Sequence, residues 1–209
     1  QIEIARLQNH DVGASGSANE PPLVVDLDGT LLRSDLLLET GLVFLRDQPH
    51  RVLAPLRWLM RGRAALKQEL ANATEVDVSV LPYDSSVLAF IAAERGRGRR
   101  VVLATASHHR LAEQVAEHLG LFDAVFASDG ACNLSAKAKR DALVREYGDR
   151  GFDYAGNSQD DLPVWETARH AYVVNASRTI ERKARAIGNV VGTLGSGTPA
   201  LRDWARALR

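Results

Sequence analysis

Apolar residues fall along this chain in two rhythms. Short unbroken runs occur at Leu23-Val24-Val25, Val101-Val102-Leu103-Ala104, Ala124-Val125-Phe126-Ala127 and Ala171-Tyr172-Val173-Val174, and Phe152-Asp153-Tyr154-Ala155-Gly156 reads as a further strand interrupted only by Asp153. They lack the in-out alternation of a half-exposed strand and predict strands covered on both faces, as in a parallel sheet between helices. Between them the period lengthens. Ser85-Ser86 is placed to N-cap a helix carrying Val87, Leu88, Phe90 and Ile91, which Gly96 or Gly98 ends. Residues 109–119 put Leu111, Val115 and Leu119 on one face and stop at Gly120. Further helices are expected up to Gly148, over 163–168 and over 179–187, with Asn189-Val190-Val191 as a short edge strand. The alternation predicts an α/β fold with a parallel central sheet.

Residues 34–82 break this pattern. They read as leucine-rich helices over 35–46, 49–62 and 64–73, interrupted at Pro49 and Gly62, with no strand signal. A helical insert between the first strand and the next strand-helix unit predicts a small cap over the sheet's carboxyl edge, able to exclude water and select a substrate. The expected division is a flexible lead-in over 1–20, a core over 21–33 and 83–209, and a cap over 34–82. Asp35, Glu39, Arg57, Arg61, Arg63 and Lys67 are the cap's charged candidates, with Asp35 and Lys67 first for substrate contact; charges on such an insert usually form its solvated face.

Composition narrows the partners. Lys and Arg number 26 and Asp and Glu number 26 in 209 residues, so no nucleic-acid footprint is expected. Cys132 is the single cysteine, which excludes an intrachain disulfide and fits a reducing compartment. The triplets at Asn72, Asn133 and Asn175 match the glycosylation pattern, but without a visible signal peptide they read as chance. No apolar run approaches the roughly 20 residues of a membrane span, so a soluble, cytoplasmic chain is expected. It opens on Gln1 rather than Met, and we expect a piece of something longer.

The candidate chemistry lies at the strand ends. Asp26 emerges from the first strand at the edge where open α/β sheets bind ligands. A carboxylate there can attack phosphorus if a cation offsets the repulsion, and Asp28 can protonate the leaving oxygen. Gly29 allows a tight turn that the Thr30 hydroxyl can fix. Thr105, with the amides of Ala106 and Ser107 ahead of the next helix, can donate to phosphoryl oxygens. Oxygen ligands after the 152–156 strand, converging with Asp26 and the Asp28 carbonyl, suit Mg²⁺. His108, His109 and Arg110 read as a helix start.

Asp26-Leu27-Asp28-Gly29-Thr30-Leu31 resembles the first motif of the haloacid dehalogenase-like phosphohydrolases, and Thr105 resembles their second. The resemblance implies a Rossmann-like three-layer sandwich, with the helical insert where the phosphoserine-phosphatase-like branch keeps its cap. It implies a lysine at a helix start that neutralises nucleophile and phosphate; Lys139 and Lys137 compete, and Lys139 lies directly before the Ala142-Leu143-Val144 apolar face. It also implies that Asp26, Asp28, Asn157 and Asp161 organise Mg²⁺, although Asn157 stands where the family generally has an acid and Asp160 is available to compensate. Segments 23–39, 103–107 and 152–165 are similar to phosphatase-like domains fused ahead of UbiA-type membrane prenyltransferases. That likeness implies a C-terminal membrane domain beyond the basic segment 204–209 and a place on the cytoplasmic face. The expected activity is hydrolysis of a small phosphomonoester through an aspartyl-phosphate. The alternative is a non-catalytic or regulatory domain that binds a phosphorylated lipid-sugar for a membrane prenyltransferase.

Overall fold

The computed structural model describes residues 4–6, 20–128, 134 and 136–195. The elements run β1 (Ile4–Arg6), β2 (Leu23–Val25), α1 (Leu36–Asp47), α2 (Ala54–Met60), α3 (Arg63–Ala73), α4 (Ser85–Gly96), β3 (Val101–His108), α5 (His109–Leu119), β4 (Ala124–Ser128), α6 (Ala136–Tyr147), β5 (Asp153–Gly156), α7 (Leu162–Thr167), β6 (Ala171–Val174), α8 (Arg178–Ile187) and β7 (Val190–Leu194). Single 3₁₀ turns occupy Pro49–Arg51, Val78–Val80 and Gln159–Asp161.

Among the described residues the strands form one sheet in the order β1-β4-β3-β2-β5-β6-β7. All neighbours are parallel except β1, which runs antiparallel to β4. Residues 4–6 of the expected lead-in are therefore an edge strand; no periodicity marks three residues as one, and pairing with β4 decides it. The segment 196–209, with Trp204 and its neighbours, and Cys132 lie outside the described residues.

The unbroken apolar runs are buried because each strand feeds two layers. Leu23 and Val25 join Val101, Leu103, Ile91 and Val115 on one face, while Val24 joins Val102, Leu143, Tyr154 and Trp165 on the other. The result is the Rossmann-like three-layer α/β arrangement. Chain order proceeds from β2 through β3 to β4 in one direction, then from β5 through β6 to β7 in the other. The carboxyl ends of β2 and β5 thus flank the topological switch point, the crevice where such sheets take ligands.

Two expected details change. The cap of α4 is Asp84, whose carboxylate accepts from the amides of Ser86 at 2.9 Å and Val87 at 3.3 Å, not Ser85 or Ser86. Strand β3 runs past Thr105 to His108, so Ala106 and Ser107 belong to a strand rather than to a loop before a helix. Between β2 and α4 the described elements are all helical, with a break at Pro49 and another at Gly62. The chain leaves and rejoins the core side by side, through an isolated bridge between Leu32 and Tyr83 and a 2.9 Å bond from the Arg33 amide to the Pro82 carbonyl.

The opposite, amino-terminal edge of the sheet is closed by charge. Asp153, buried at the start of β5, accepts from Arg99, from both Nε and Nη2 of Arg169 at 2.8 Å, and from the His170 amide at 3.1 Å. Arg99 also meets Glu94 at 2.8 Å.

Candidate active site

The crevice receives side chains from β2, β3, α6 and the loop after β5. The amide of Asp26 donates to the Ala155 carbonyl at 2.9 Å, which fixes its carboxylate at the sheet edge, 6% exposed. Lys139 reaches in from α6, its Nζ 2.6 Å from Asp26 Oδ1 and 3.6 Å from Asp161 Oδ1. It also donates to the Tyr154 hydroxyl at 3.0 Å, and that hydroxyl donates to Asp161 Oδ1 at 2.7 Å. Thr30 donates to Asp26 Oδ2 at 3.2 Å. Lys137, two residues earlier, is exposed, so it is Lys139 that meets Asp26.

Asp28 is held from the other side. The Leu36 amide at the start of α1 donates to Oδ1 at 2.7 Å. The hydroxyls of Ser107 and Thr105 donate to Oδ2 at 2.7 and 3.3 Å, and the Ser107 amide donates to Thr105 Oγ1 at 2.9 Å. Burial pushes Asp28 above the usual carboxylate range, against the pull of the Leu36 amide and the Ser107 hydroxyl. Burial also pushes Asp26 up to about 7, with Lys139 pulling down and Asp161 and Asp28 pushing up. Lys139 is lowered by its own burial but raised further by Asp26 and Asp161, and stays above its ordinary value. A 2.6 Å ammonium-carboxylate contact is that of a charged pair. On that geometry Asp26 is the anion at this edge although burial raises it, while Asp28, also raised by burial, takes its hydrogen bonds from neutral donors.

The loop after β5 departs from expectation in one respect. Asp161 Oδ2 accepts from the amides of Asn157 at 3.0 Å and Ser158 at 2.9 Å and from the Ser158 hydroxyl at 3.1 Å. With Oδ1 taken by Tyr154, this carboxylate orders the loop and the lysine, and its oxygens are already engaged. Gly156 makes the room, since a Cβ there would lie 2.7 Å from Asp161 Cγ. Asp160 is exposed on the turn and does not join the cluster.

Asn157 is the opposite case. Its Oδ1 is buried without a hydrogen-bond partner, and its Nδ2 would lie 2.0 Å from a Cβ on residue 29, where Gly29 has φ 75°. An unsatisfied buried amide oxygen is costly unless something coordinates it. In the expected set with Asp26 and the Asp28 main-chain carbonyl, it would supply a hard oxygen of the kind Mg²⁺ takes, and it lies beside Gly29, the residue after Asp28. The set is charge-poor: among the described residues no three His, Cys, Asp or Glu are gathered for a metal.

Of the two residues expected to face substrate from the insert, Lys67 donates from α3 to the Ala106 carbonyl at 2.8 Å, beside Ser107. Asp35 is exposed and caps α1, accepting from the Leu37 amide at 2.8 Å. A crevice lined by Leu36, Leu37, Thr40, Lys67, Leu70 and Ser107 adjoins Asp28. Sequence reasoning takes Tyr154 only as a strand residue. Its place two positions before Gly156, on the face of β5 turned to α6, is the signal that could have found it.

Residues 23–166 match the haloacid dehalogenase-like hydrolases. The chain belongs to that family. A relative of this haloacid dehalogenase-like hydrolase, the uncharacterized protein y4nM of Sinorhizobium fredii, is 37% identical over 189 residues, covering 90% of this chain. The chain spans about 36% of that relative's length. Among solved structures it is similar to a Bordetella pertussis Tohama I protein of unknown function, with TM-score 0.63, 16% identity, and coverage of 84% of this chain and 98% of that one. It is also similar to phosphoserine phosphatase in apo form, with TM-score 0.60, 16% identity, and coverage of 90% and 98%. At these identities the likeness is one of fold.

Proposed function

We propose that this haloacid dehalogenase-like hydrolase is a phosphomonoesterase that works through an aspartyl-phosphate on Asp26. The observation that carries the proposal is the pair of unlike carboxylates at one edge: Asp26 held as an anion 2.6 Å from Lys139, and Asp28 buried among donors that leave it above the usual range. In this reading Asp26 attacks phosphorus, the ester P–O bond breaks, and Asp28 gives its proton to the departing alkoxide. Asp28 then takes a proton from water, whose oxygen attacks the acyl phosphate, releasing phosphate and restoring Asp26. Lys139 and the Thr105 hydroxyl steady the phosphoryl oxygens, with Thr30, Ala106 and Ser107 lining their approach. Mg²⁺, when bound, would lower the repulsion between carboxylate and phosphate; Asp26, the Asp28 carbonyl and Asn157 would hold it, with Asp161 ordering their loop.

Residues 34–82 serve as a cap in this proposal, with Lys67 tying α3 to β3 at the crevice. We also propose, from the resemblance of sequence segments, a C-terminal membrane prenyltransferase domain and a phosphorylated product of prenyl or phosphoribosyl transfer as substrate. Extending the gene sequence beyond Arg209 tests this: hydrophobic spans are expected, and a chain end there rejects it.

Phosphate release from a panel of phosphomonoesters, titrated with Mg²⁺, tests the activity. Turnover is expected on at least one ester and a loss of about 10³-fold or more in Asp26→Asn. Activity in that variant within about threefold of the parent would remove Asp26 from the chemistry. Thermal stabilisation by the esters without phosphate release would favour the binding-module alternative.

A further inference from the structure

The helical segment after α1 wears its apolar residues outward. Val52, Leu53, Leu56, Leu59 and Met60 fall on one stripe at helical spacing and are exposed, Leu53 to 69% and Met60 to 84%. The opposite face of α2 holds Trp58, which meets Phe44 of α1 edge-on at 5.1 Å between ring centroids. The stripe is thus not a core face left loose, because α2 already has its packing face.

Charge around the stripe has one sign. Between residues 46 and 61 there are four arginines and one acid, Asp47, in a chain that is neutral overall. Arg46 pairs with Asp47 at 2.7 Å, Arg61 pairs with Glu69 at 3.1 Å, and Arg51 lies over the Phe44 and Trp58 rings. With Asp47 and Glu69 set against the four arginines, the neighbourhood still keeps a net positive charge. By helical spacing Arg57 and Arg61 lie along one flank of the stripe.

We infer that this stripe docks on an anionic lipid surface, with Leu53, Leu56 and Met60 inserted at the level of the headgroups and the arginines on lipid phosphates. An apolar stripe flanked by cations is the pattern of a helix lying in a membrane interface. Exposed leucines continue on α1 at Leu38, Leu42 and Leu45, so the outward apolar surface of these helices is aliphatic throughout. The stripe offers no exposed aromatic anchor of the kind that fixes protein partners.

Vesicle co-sedimentation of this chain tests the inference. Binding is expected to phosphatidylcholine vesicles containing about 30 mol % phosphatidylglycerol, weak binding to phosphatidylcholine alone, and release as salt rises to about 0.5 M. Leu56→Glu with Met60→Glu should reduce partitioning about tenfold or more at an unchanged melting temperature, and Arg57→Gln with Arg61→Gln should remove the preference for anionic vesicles. A parent chain that stays in the supernatant with both vesicle types would overturn the inference. So would undiminished binding by the folded Leu56/Met60 variant, or a concentration-dependent dimer in light scattering that this variant abolishes. None of these readouts depends on phosphate release.

Discussion

At the residue scale the site turns on how three oxygen-bearing side chains are partnered. Asp26 faces an ammonium, Asp28 faces two hydroxyls and an amide, and Asn157 keeps an oxygen with no partner. The last is the feature to alter. Asn157→Asp would add a charge where the donor set is poor, and should tighten Mg²⁺ about tenfold in isothermal titration calorimetry. An unchanged affinity would mean that this position does not face the ion. The sequence made Asp26, Asp28, Thr105 and Lys139 legible because each follows or enters an element with a clear pattern. It left Tyr154 and the Ser107 hydroxyl unread, since their parts depend on which side of a strand meets which helix. Asp161 was legible as a position but not in its bonding, which depends on the loop's path under Gly156.

Among the elements, β2 to β6 were readable because burial on both faces leaves a largely apolar run, and they stand parallel as that pattern implies; β7, parallel at the edge, is only half-buried. Boundaries were less so. Ser85-Ser86 satisfies the capping preference as well as Asp84 does, and only the fold selects Asp84, through its added bonds to Asn175 at 2.9 Å and Arg33 at 3.2 Å. Burial raises the Asp84 carboxyl, but the Ser86 hydroxyl, Asn175 and the two helix amides bring it down to about 2. A carboxyl depressed on folding from 3.8 adds stability that is complete above pH 4 and disappears as pH falls through 2. Asp84→Ala should therefore cost about 2 kcal/mol at neutral pH and flatten the stability profile between about pH 4 and 2 in urea titrations. A variant with the parent's acid slope would locate that pH dependence elsewhere.

Across the whole molecule the two edges of the sheet use buried charge differently. At the carboxyl edge the charges stand among groups that can exchange partners with a substrate; at the amino edge Asp153 is locked between Arg99 and Arg169, which hold it below its ordinary range against the effect of burial. Asp153→Ala would leave the buried Arg99 guanidinium with Glu94 where it had two buried carboxylates, and should lower stability by about 3 kcal/mol in chemical denaturation, while phosphate release at 25 °C stays within about twofold of the parent. This closure was invisible in the sequence, where Arg99 and Asp153 are merely strand flanks. Among the described residues no helix is long and apolar enough to cross a membrane. The close approach of Asn157 to Gly29 has a historical implication. Any side chain at 29 must meet both an unfavourable backbone angle and an amide already in its place, so neither position is free to drift by itself. Descendants of this protein can explore a new residue in the first turn only after the distant loop has yielded.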